Sequence, residues 1–193
     1  ENYLEAPTLL IELHGDKDTL LTQLSKIKTL CNQNQTRTYY ECTSAEKLKL
    51  LWQYRRAARP TMAIVFPNRG VLSAEVGVPL SHIPKLLKKA DELGKKYRLE
   101  TISFGHMGDG NFHAWALYEL ANKNSWEKVV KLNESLIRFA LSVGGTTSGE
   151  HGLGIGKRKF LPLEHPTGLP LMKQIKKLFD PSGILNPGKV FPD

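Results

Sequence analysis

Apolar side chains recur every three or four residues in several stretches of the chain, which is the periodicity of a helix with one buried face. This spacing predicts a helix over residues 17–32 and another from Ser44 to about Ala58, ended by Pro60. Further helices are predicted over the ranges 83–93, 126–140 and 169–179. We therefore expect helices throughout the chain.

Short apolar or alternating runs between the helices predict strands. Thr8–His14 is mostly apolar, Thr38–Tyr40 is β-branched and aromatic, and Val71–Val78 alternates loosely. Thr101–Tyr118 indicates two strands joined through a glycine-rich bend or bulge. The connections are too short for separate domains, so a single domain of mixed helix and strand is expected over residues 1–193.

The composition is that of an ordinary globular protein of 193 residues, 40% hydrophobic and 24% charged. These proportions exclude disorder over most of the chain. No apolar run approaches the ~20 residues that span a bilayer, which excludes a transmembrane helix and leaves peripheral membrane association open. Cys31 and Cys42 are too few for a disulfide framework and fit a reducing compartment, so a cytoplasmic location is expected.

The net charge of +8 suggests a nucleic-acid partner, and the positions of the basic residues along the chain decide whether that interpretation is favoured. Lysines cluster on the polar faces of the helices predicted over 83–93 and 169–179. The sequence has no basic stretch interleaved with aromatic residues for stacking bases, and no zinc-finger spacing. We favour solvated helix faces and expect no nucleic acid; a surface that meets an anionic cofactor or partner is the second interpretation.

Candidate chemistry concentrates in two glycine-rich segments that carry histidine and an acidic residue. His106 and His113 are seven residues apart, and in one regular strand an odd spacing places two side chains on opposite faces. One extra residue in a bulge, which Gly108 and Gly110 permit, would bring both imidazoles to one side. Such a pair suits Zn, Fe or Mn, and a carboxylate from elsewhere would complete a three-ligand site with an open position.

Glu150-His151 in the second segment is the natural further contributor. Adjacent side chains diverge in an extended chain, so one of the two would bind the metal while the other faces a nearby substrate. Gly149 and Gly152 remove side chains where a flat cofactor or substrate could approach the backbone. The run Gly152–Lys157 lacks the full Walker pattern, so a phosphate loop is not expected.

Three segments together resemble one family: GHMGDGNFH at 105–113, SGEHGLG at 148–154 and DPSGILNPGKV at 180–190. They resemble the C-terminal half of FAD-linked 2-hydroxyacid dehydrogenases, the D-lactate dehydrogenase and glycolate oxidase D-subunit group of the vanillyl-alcohol oxidase superfamily. The resemblance covers essentially the whole chain, including the helix around Leu51–Arg55. Without the resemblance, the last of the three segments predicts only a helix stop followed by turns.

The resemblance implies an α+β fold, in which an antiparallel sheet, ferredoxin-like in part, carries helices mainly on one face. Such a domain acts as the substrate-binding cap. The activity implied is oxidation of a D-2-hydroxy acid, of the lactate or glycolate type, to the 2-oxo acid. Hydride would pass to FAD, with the help of a histidine base and a divalent metal, Zn, Fe or Mn.

The resemblance also implies roles, residue by residue. Three side chains would be the metal ligands: His106, His113 and Glu150. His151 would be the base that takes the substrate hydroxyl proton, because a metal that lowers the hydroxyl pKa makes a near-neutral imidazole adequate. Arg55 would pair with the substrate carboxylate, Asn111 would lie near substrate or flavin, and Asn186 would lie at the edge of the flavin ring.

Two positions depart from the family pattern. Arg56 follows Arg55 where many relatives carry Glu, and Arg59 is close by, so the arginine that meets the carboxylate stays open. Ser73 stands in the strand where some relatives place a substrate-binding Lys, so a second, distal carboxylate on the substrate is not expected.

No part of the sequence indicates the module that carries the FAD pyrophosphate in this family, and the chain begins with Glu1 rather than Met. We therefore expect the C-terminal part of a longer oxidoreductase, or a truncated product, whose partner is an N-terminal FAD domain and which is inactive alone. The alternative is a non-catalytic ferredoxin-like domain that binds a ligand or a partner. Convergence of the two histidines and Glu150 on one point would favour the enzyme.

Overall fold

The computed structural model describes residues 6–192, so Glu1 lies outside the described residues. The chain divides into two compact units, residues 1–59 and residues 60–193. In the first unit, α1 spans Lys17–Gln33, which confirms the helix predicted there. The carboxylate of Asp16 accepts a hydrogen bond from the Thr19 amide at 2.9 Å and so satisfies one of the free N–H groups of the first turn.

The second helix, α2, spans Ala45–Val65 and runs through the residue that was expected to end it. Beyond Pro60, the amide of Phe66 donates to the carbonyl of Met62 at 2.9 Å. A proline removes one helical hydrogen bond and crowds the preceding turn. The helical bonds resume directly after it here, so the predicted end at Pro60 is wrong.

The two strands predicted in the first unit are also wrong. Thr8–His14 and Thr38–Tyr40 contain no strand. A strand is stable only when a neighbour pairs with its backbone groups, and the regular elements described in this unit are helices. The apolar side chains of Leu9 and Ile11 remain exposed.

Three antiparallel strands form the sheet of the second unit, in the order β1-β3-β2. β1 spans Arg69–Gly77, β2 spans Thr101–His106 and β3 spans Asn111–Glu119. β3 is central because it pairs with both of the others. The antiparallel sheet implied by the resemblance is confirmed.

Helices α3, Ile83–Tyr97, and α4, Lys123–Ser142, pack against one face of this sheet. Fully buried apolar side chains from that face and from the two helices form the core, among them Ala74, Val76, Phe112, Ala114, Leu86, Leu132 and Ile137. Side chains alternate along a strand, so Glu75 and His113 point to the other face. In the described part of the chain, two α-helices follow α4, namely α5 at Leu161–Glu164 and α6 at Leu169–Phe179.

Candidate active site

The hairpin of β2 and β3 brings His106 and His113 to the same face of the sheet. His106 pairs with Asn111, and Phe104 pairs with His113. Paired residues share a face, and His113 follows Asn111 by two positions, so both histidines point the same way. The hairpin confirms the two strands joined through a glycine-rich bend. The predicted bulge is wrong, because the alternation of side chains along a single strand does not apply across a hairpin turn.

The turn of this hairpin depends on a glycine. A 3₁₀ turn covers Met107–Asp109, and Gly110 follows with φ of +74°, in the left-handed region. A Cβ at Gly110 would collide with the carbonyl oxygen of Val78, whose amide donates to the Gly110 carbonyl at 2.9 Å. Gly110 is thus required by the turn that sets the two histidines side by side.

Glu150 reaches the histidines from the loop after α4. Its carboxylate lies 2.9 Å from Nε2 of His113 and 3.6 Å from Nε2 of His106. One ligand atom from each of the three residues lies within 4.8 Å of the other two. Two imidazoles and one carboxylate in this arrangement fit the donor set that Zn²⁺ and related cations take in catalytic sites.

His113 is the buried member of this metal-ligand cluster, which comprises His106, His113 and Glu150. Its side chain is 5% exposed, against 51% for His106 and 42% for Glu150. Burial lowers the pKa of His113, and the nearby carboxylates of Glu150 and Glu75 oppose this effect without cancelling it. The imidazole is therefore mainly neutral at pH 7, which is the form that binds a metal.

His151 lies beside the cluster. Its Nε2 is 3.4 Å from a carboxylate oxygen of Glu150, and its ring centroid is 5.5 Å from that of His113. The side chain is 56% exposed. A half-exposed imidazole at this place can exchange a proton with a small molecule bound at the cluster.

Asn111 borders a cavity of about 370 Å³ next to the cluster. The residue is 6% exposed, and its Oδ1 has no hydrogen-bond partner among the described residues. His106 and Glu150 line the same cavity, together with the segments 77–79 and 144–146. A buried amide oxygen without a partner is costly, so this atom is open to a donor group on a ligand.

Sequence reasoning missed Glu75, which is 1% exposed on β1, opposite His113. One carboxylate oxygen accepts from the Glu150 amide at 2.7 Å, and the other pairs with the ammonium of Lys157. Burial raises the pKa of Glu75, but these two partners outweigh burial and hold the pKa below its ordinary value. The signal in the sequence is one acidic residue inside an apolar strand.

The sequence suggested that Gly149 leaves space for a flat cofactor or substrate, but the structure shows no such space at this residue. A Cβ there would collide with the carboxylate of Glu75 and would lie 2.9 Å from Oδ1 of Asn111. Gly152 fits the expectation better, because it has φ of +75° and open space where a Cβ would stand.

Two further residues named by the resemblance belong to other segments. Arg55 lies on α2, in the first unit. Asn186 is exposed and adopts φ of +46° in the turns after α6. Asp180 builds these turns, because its carboxylate accepts from the amides of Ile184 and Leu185 at 2.9 and 3.0 Å. The roles of Arg55 and Asn186 stay predictions.

Residues 1–190 match the family described as FAD linked oxidases, C-terminal domain. The chain belongs to this family. It is 34% identical, over its whole length, to the mitochondrial D-lactate dehydrogenase [cytochrome] of Arabidopsis thaliana, of which it covers 34%. It is 33% identical, over 95% of its length, to glycolate oxidase subunit GlcD of Bacillus subtilis, of which it covers 39%. The chain thus spans well under half the length of these curated relatives.

A solved structure shares the fold of this FAD-linked oxidase domain. The 4-ethylphenol oxidase from Gulosibacter chungangensis, in its isoeugenol complex, matches with a TM-score of 0.59 over 93% of this chain and 38% of that chain. The sequences are 18% identical. The likeness confirms the α+β fold implied by the resemblance.

None of the described helices is both long and apolar enough to cross a membrane. The cytoplasmic location and the single domain over residues 1–193 stay predictions.

Proposed function

We propose that this chain forms the substrate-binding part of an FAD-dependent enzyme that oxidises a D-2-hydroxy acid to the 2-oxo acid. The observation that carries the proposal is the convergence of His106, His113 and Glu150 on one point, in a member of the FAD-linked oxidase family. The names of its relatives, D-lactate dehydrogenase and glycolate oxidase, suggest lactate or glycolate as the type of substrate.

His151 is the base of the proposed reaction. The substrate hydroxyl gives its proton to Nε2 of His151, the ring nitrogen near the cluster, as the bond between Cα and its hydrogen breaks. When bound, a divalent metal held by His106, His113 and Glu150 supplies a Lewis acid that lowers the hydroxyl pKa, and FAD supplies the hydride acceptor.

Three other side chains orient the reactants in this proposal. Asn111 offers its unpaired Oδ1 to the substrate or the flavin. Arg55 provides a planar, permanently charged fork for the substrate carboxylate, with Arg56 and Arg59 as alternatives on the same helix. Asn186 meets the edge of the flavin ring.

The second candidate is a non-catalytic ferredoxin-like domain that binds a ligand or a partner. The small antiparallel sheet with helices on one face is compatible with it. A binding module does not require two histidines and a glutamate within ligand distance of one another, so the cluster favours the enzyme.

The metal assignment predicts a loss of zinc binding in a ligand variant. His106→Ala should weaken Zn²⁺ binding by about 100-fold or more, because a direct ligand counts for more than the supporting contacts whose loss costs ~10–100-fold. Isothermal titration of the chain with Zn²⁺ measures this. His14→Ala is the control, because that side chain is 82% exposed in the first unit. Equal affinities in wild type and His106→Ala would reject the ligand assignment.

If a separate FAD domain holds the cofactor, the chain alone should not reduce a dye with D-lactate or glycolate as substrate. The N-terminal FAD domain of the same protein would supply most cofactor contacts. In the full protein, His151→Asn should lower kcat by about 10²–10⁴-fold, the usual contribution of a general base. Robust dye reduction by the isolated chain, or an unchanged kcat in His151→Asn, would contradict the proposal.

A further inference from the structure

Glu75 takes no part in the proposed reaction, yet it is a buried carboxylate next to the cluster. It is 1% exposed, and the strand register places it opposite His113. A buried charge needs partners that offset its loss of hydration. The partners of Glu75 therefore indicate what the residue is for.

Both ends of one glycine-rich loop are bound to this carboxylate. At the start of the loop, the Glu150 amide donates to Oε1 at 2.7 Å. At its end, the ammonium of Lys157 pairs with Oε2 and donates to the backbone carbonyl of Glu75 at 2.9 Å. Residues 150–157 contain no helix or strand, and they carry His151. Glu75 thus closes the loop that holds a ligand and the base.

The backbone before the loop is held in the same place. Thr146 and Gly77 exchange two backbone hydrogen bonds of 2.8 and 3.1 Å. Gly149 packs so closely that a Cβ would collide with the carboxylate of Glu75. After His151, no described residue beyond the chain neighbours lies within 4 Å of the place a Cβ would take at Gly152, Gly154 or Gly156. The contacts of Glu75 therefore fix both ends of the loop, and the Gly154 carbonyl accepts from the Lys157 amide at 2.9 Å within it.

We propose that Glu75 and Lys157 are positioning residues, which hold the backbone of Glu150 and His151 in place opposite the two histidines of the hairpin. The inference rests on the proposed function. Glu75 acts through the Glu150 amide, and Lys157 holds the second oxygen of Glu75 so that the carboxylate keeps its orientation. The run Gly152–Lys157 does not fit a phosphate loop, and its last residue, Lys157, instead orients the carboxylate of Glu75.

Zinc affinity of the chain tests the inference. Lys157→Met should weaken Zn²⁺ binding by about 10–100-fold, the usual cost of losing a residue that supports metal ligands. Lys157→Arg keeps the charge and should restore most of the affinity. Lys159→Met is the matched control, because the ammonium of Lys159 pairs with Glu134 at the surface. This control should bind Zn²⁺ as the wild type does.

Lys157→Met leaves the buried carboxylate of Glu75 without its cation and could fail to fold for that reason. A second variant decides the question in that case. Glu75→Leu/Lys157→Met replaces the buried ion pair by apolar side chains and removes the acceptor of the Glu150 amide, so it too should bind Zn²⁺ less tightly. Wild-type affinity in either folded variant, checked by circular dichroism, would overturn the positioning role. Equal affinity in wild type and His106→Ala would instead contradict the metal centre itself.

Discussion

Glu164 ties the segment that leads into the site to the short helix α5. Its carboxylate accepts hydrogen bonds from the hydroxyls of Thr146 and Thr147, each at 2.5 Å, and from the Thr147 amide at 3.1 Å. Burial raises the pKa of Glu164, but these three donors outweigh burial, so the pKa lies below its ordinary value. The ionised carboxylate is therefore a stabilising group in the folded state.

Glu164→Gln should lower the free energy of unfolding by about 1–3 kcal/mol at pH 7, because hydrogen bonds to a charged acceptor are lost. The folded-state pKa is the depressed one, so this stability is present above the ordinary pKa of 4.5 and disappears as pH falls through the folded-state value. Urea unfolding of wild type and Glu164→Gln should show a gap in the free energy of unfolding at pH 7 that becomes smaller near pH 3. Glu127→Gln, at an exposed position on α4, is the control, and a gap that stays constant with pH would contradict the assignment.

At the same scale, the sequence indicates His106, His113 and Glu150 because each lies among glycines in a short segment. Glu75 gives no such sign. Its partners Glu150 and Lys157 are 75 and 82 positions away in the chain. A contact at that separation depends on how the strands and the loop meet, and no spacing rule contains that information.

At the scale of elements, the β2–β3 hairpin is the device that assembles the site. The turn leaves four residues between His106 and Asn111. Gly110 occupies the left-handed region there, whereas Gly108 has open space where a Cβ would stand and no unusual φ. The turn therefore requires glycine at position 110 but tolerates a larger side chain at position 108.

Gly110→Ala should destabilise the chain by about 2 kcal/mol or more, because left-handed backbone costs about 1–2 kcal/mol for a residue with a Cβ and the methyl group would also meet the Val78 carbonyl. Gly108→Ala should change stability by less than about 0.5 kcal/mol. Chemical unfolding of the two variants compares them directly. A Gly108→Ala variant that is as unstable as Gly110→Ala would refute the assigned turn geometry.

Elements were predictable where the local pattern and the tertiary structure agree. The spacing over residues 169–179 gave α6 at Leu169–Phe179, because an amphipathic stripe of that length is decided locally. Thr8–His14 has a strand-like composition without a strand, since pairing depends on a neighbour elsewhere in the chain. The joining of β2 to β3 by a tight hairpin, rather than by a bulge within one strand, likewise depends on the pairing of two segments.

At the scale of the whole molecule, one sheet both forms the core and carries the site, because successive side chains along a strand point to opposite faces. Ala74 and Val76 on β1 face α3 and α4 in the core, while Glu75 between them faces the site. Phe112 and His113 on β3 divide in the same way. Packing of the helices therefore holds the strands that aim the chemical groups, and placing helices on one face leaves the other for binding.

The members of the metal-ligand cluster come from two places far apart in the chain, the β2–β3 hairpin and the loop that follows α4. A cation bound by all three side chains would be a cross-link between those places. Because only the folded chain brings the three together, each increase in free cation would favour folding by mass action, by about 2.7 kcal/mol at one hundred times the dissociation constant. The same cluster would then couple the free energy of unfolding of the chain to the supply of metal.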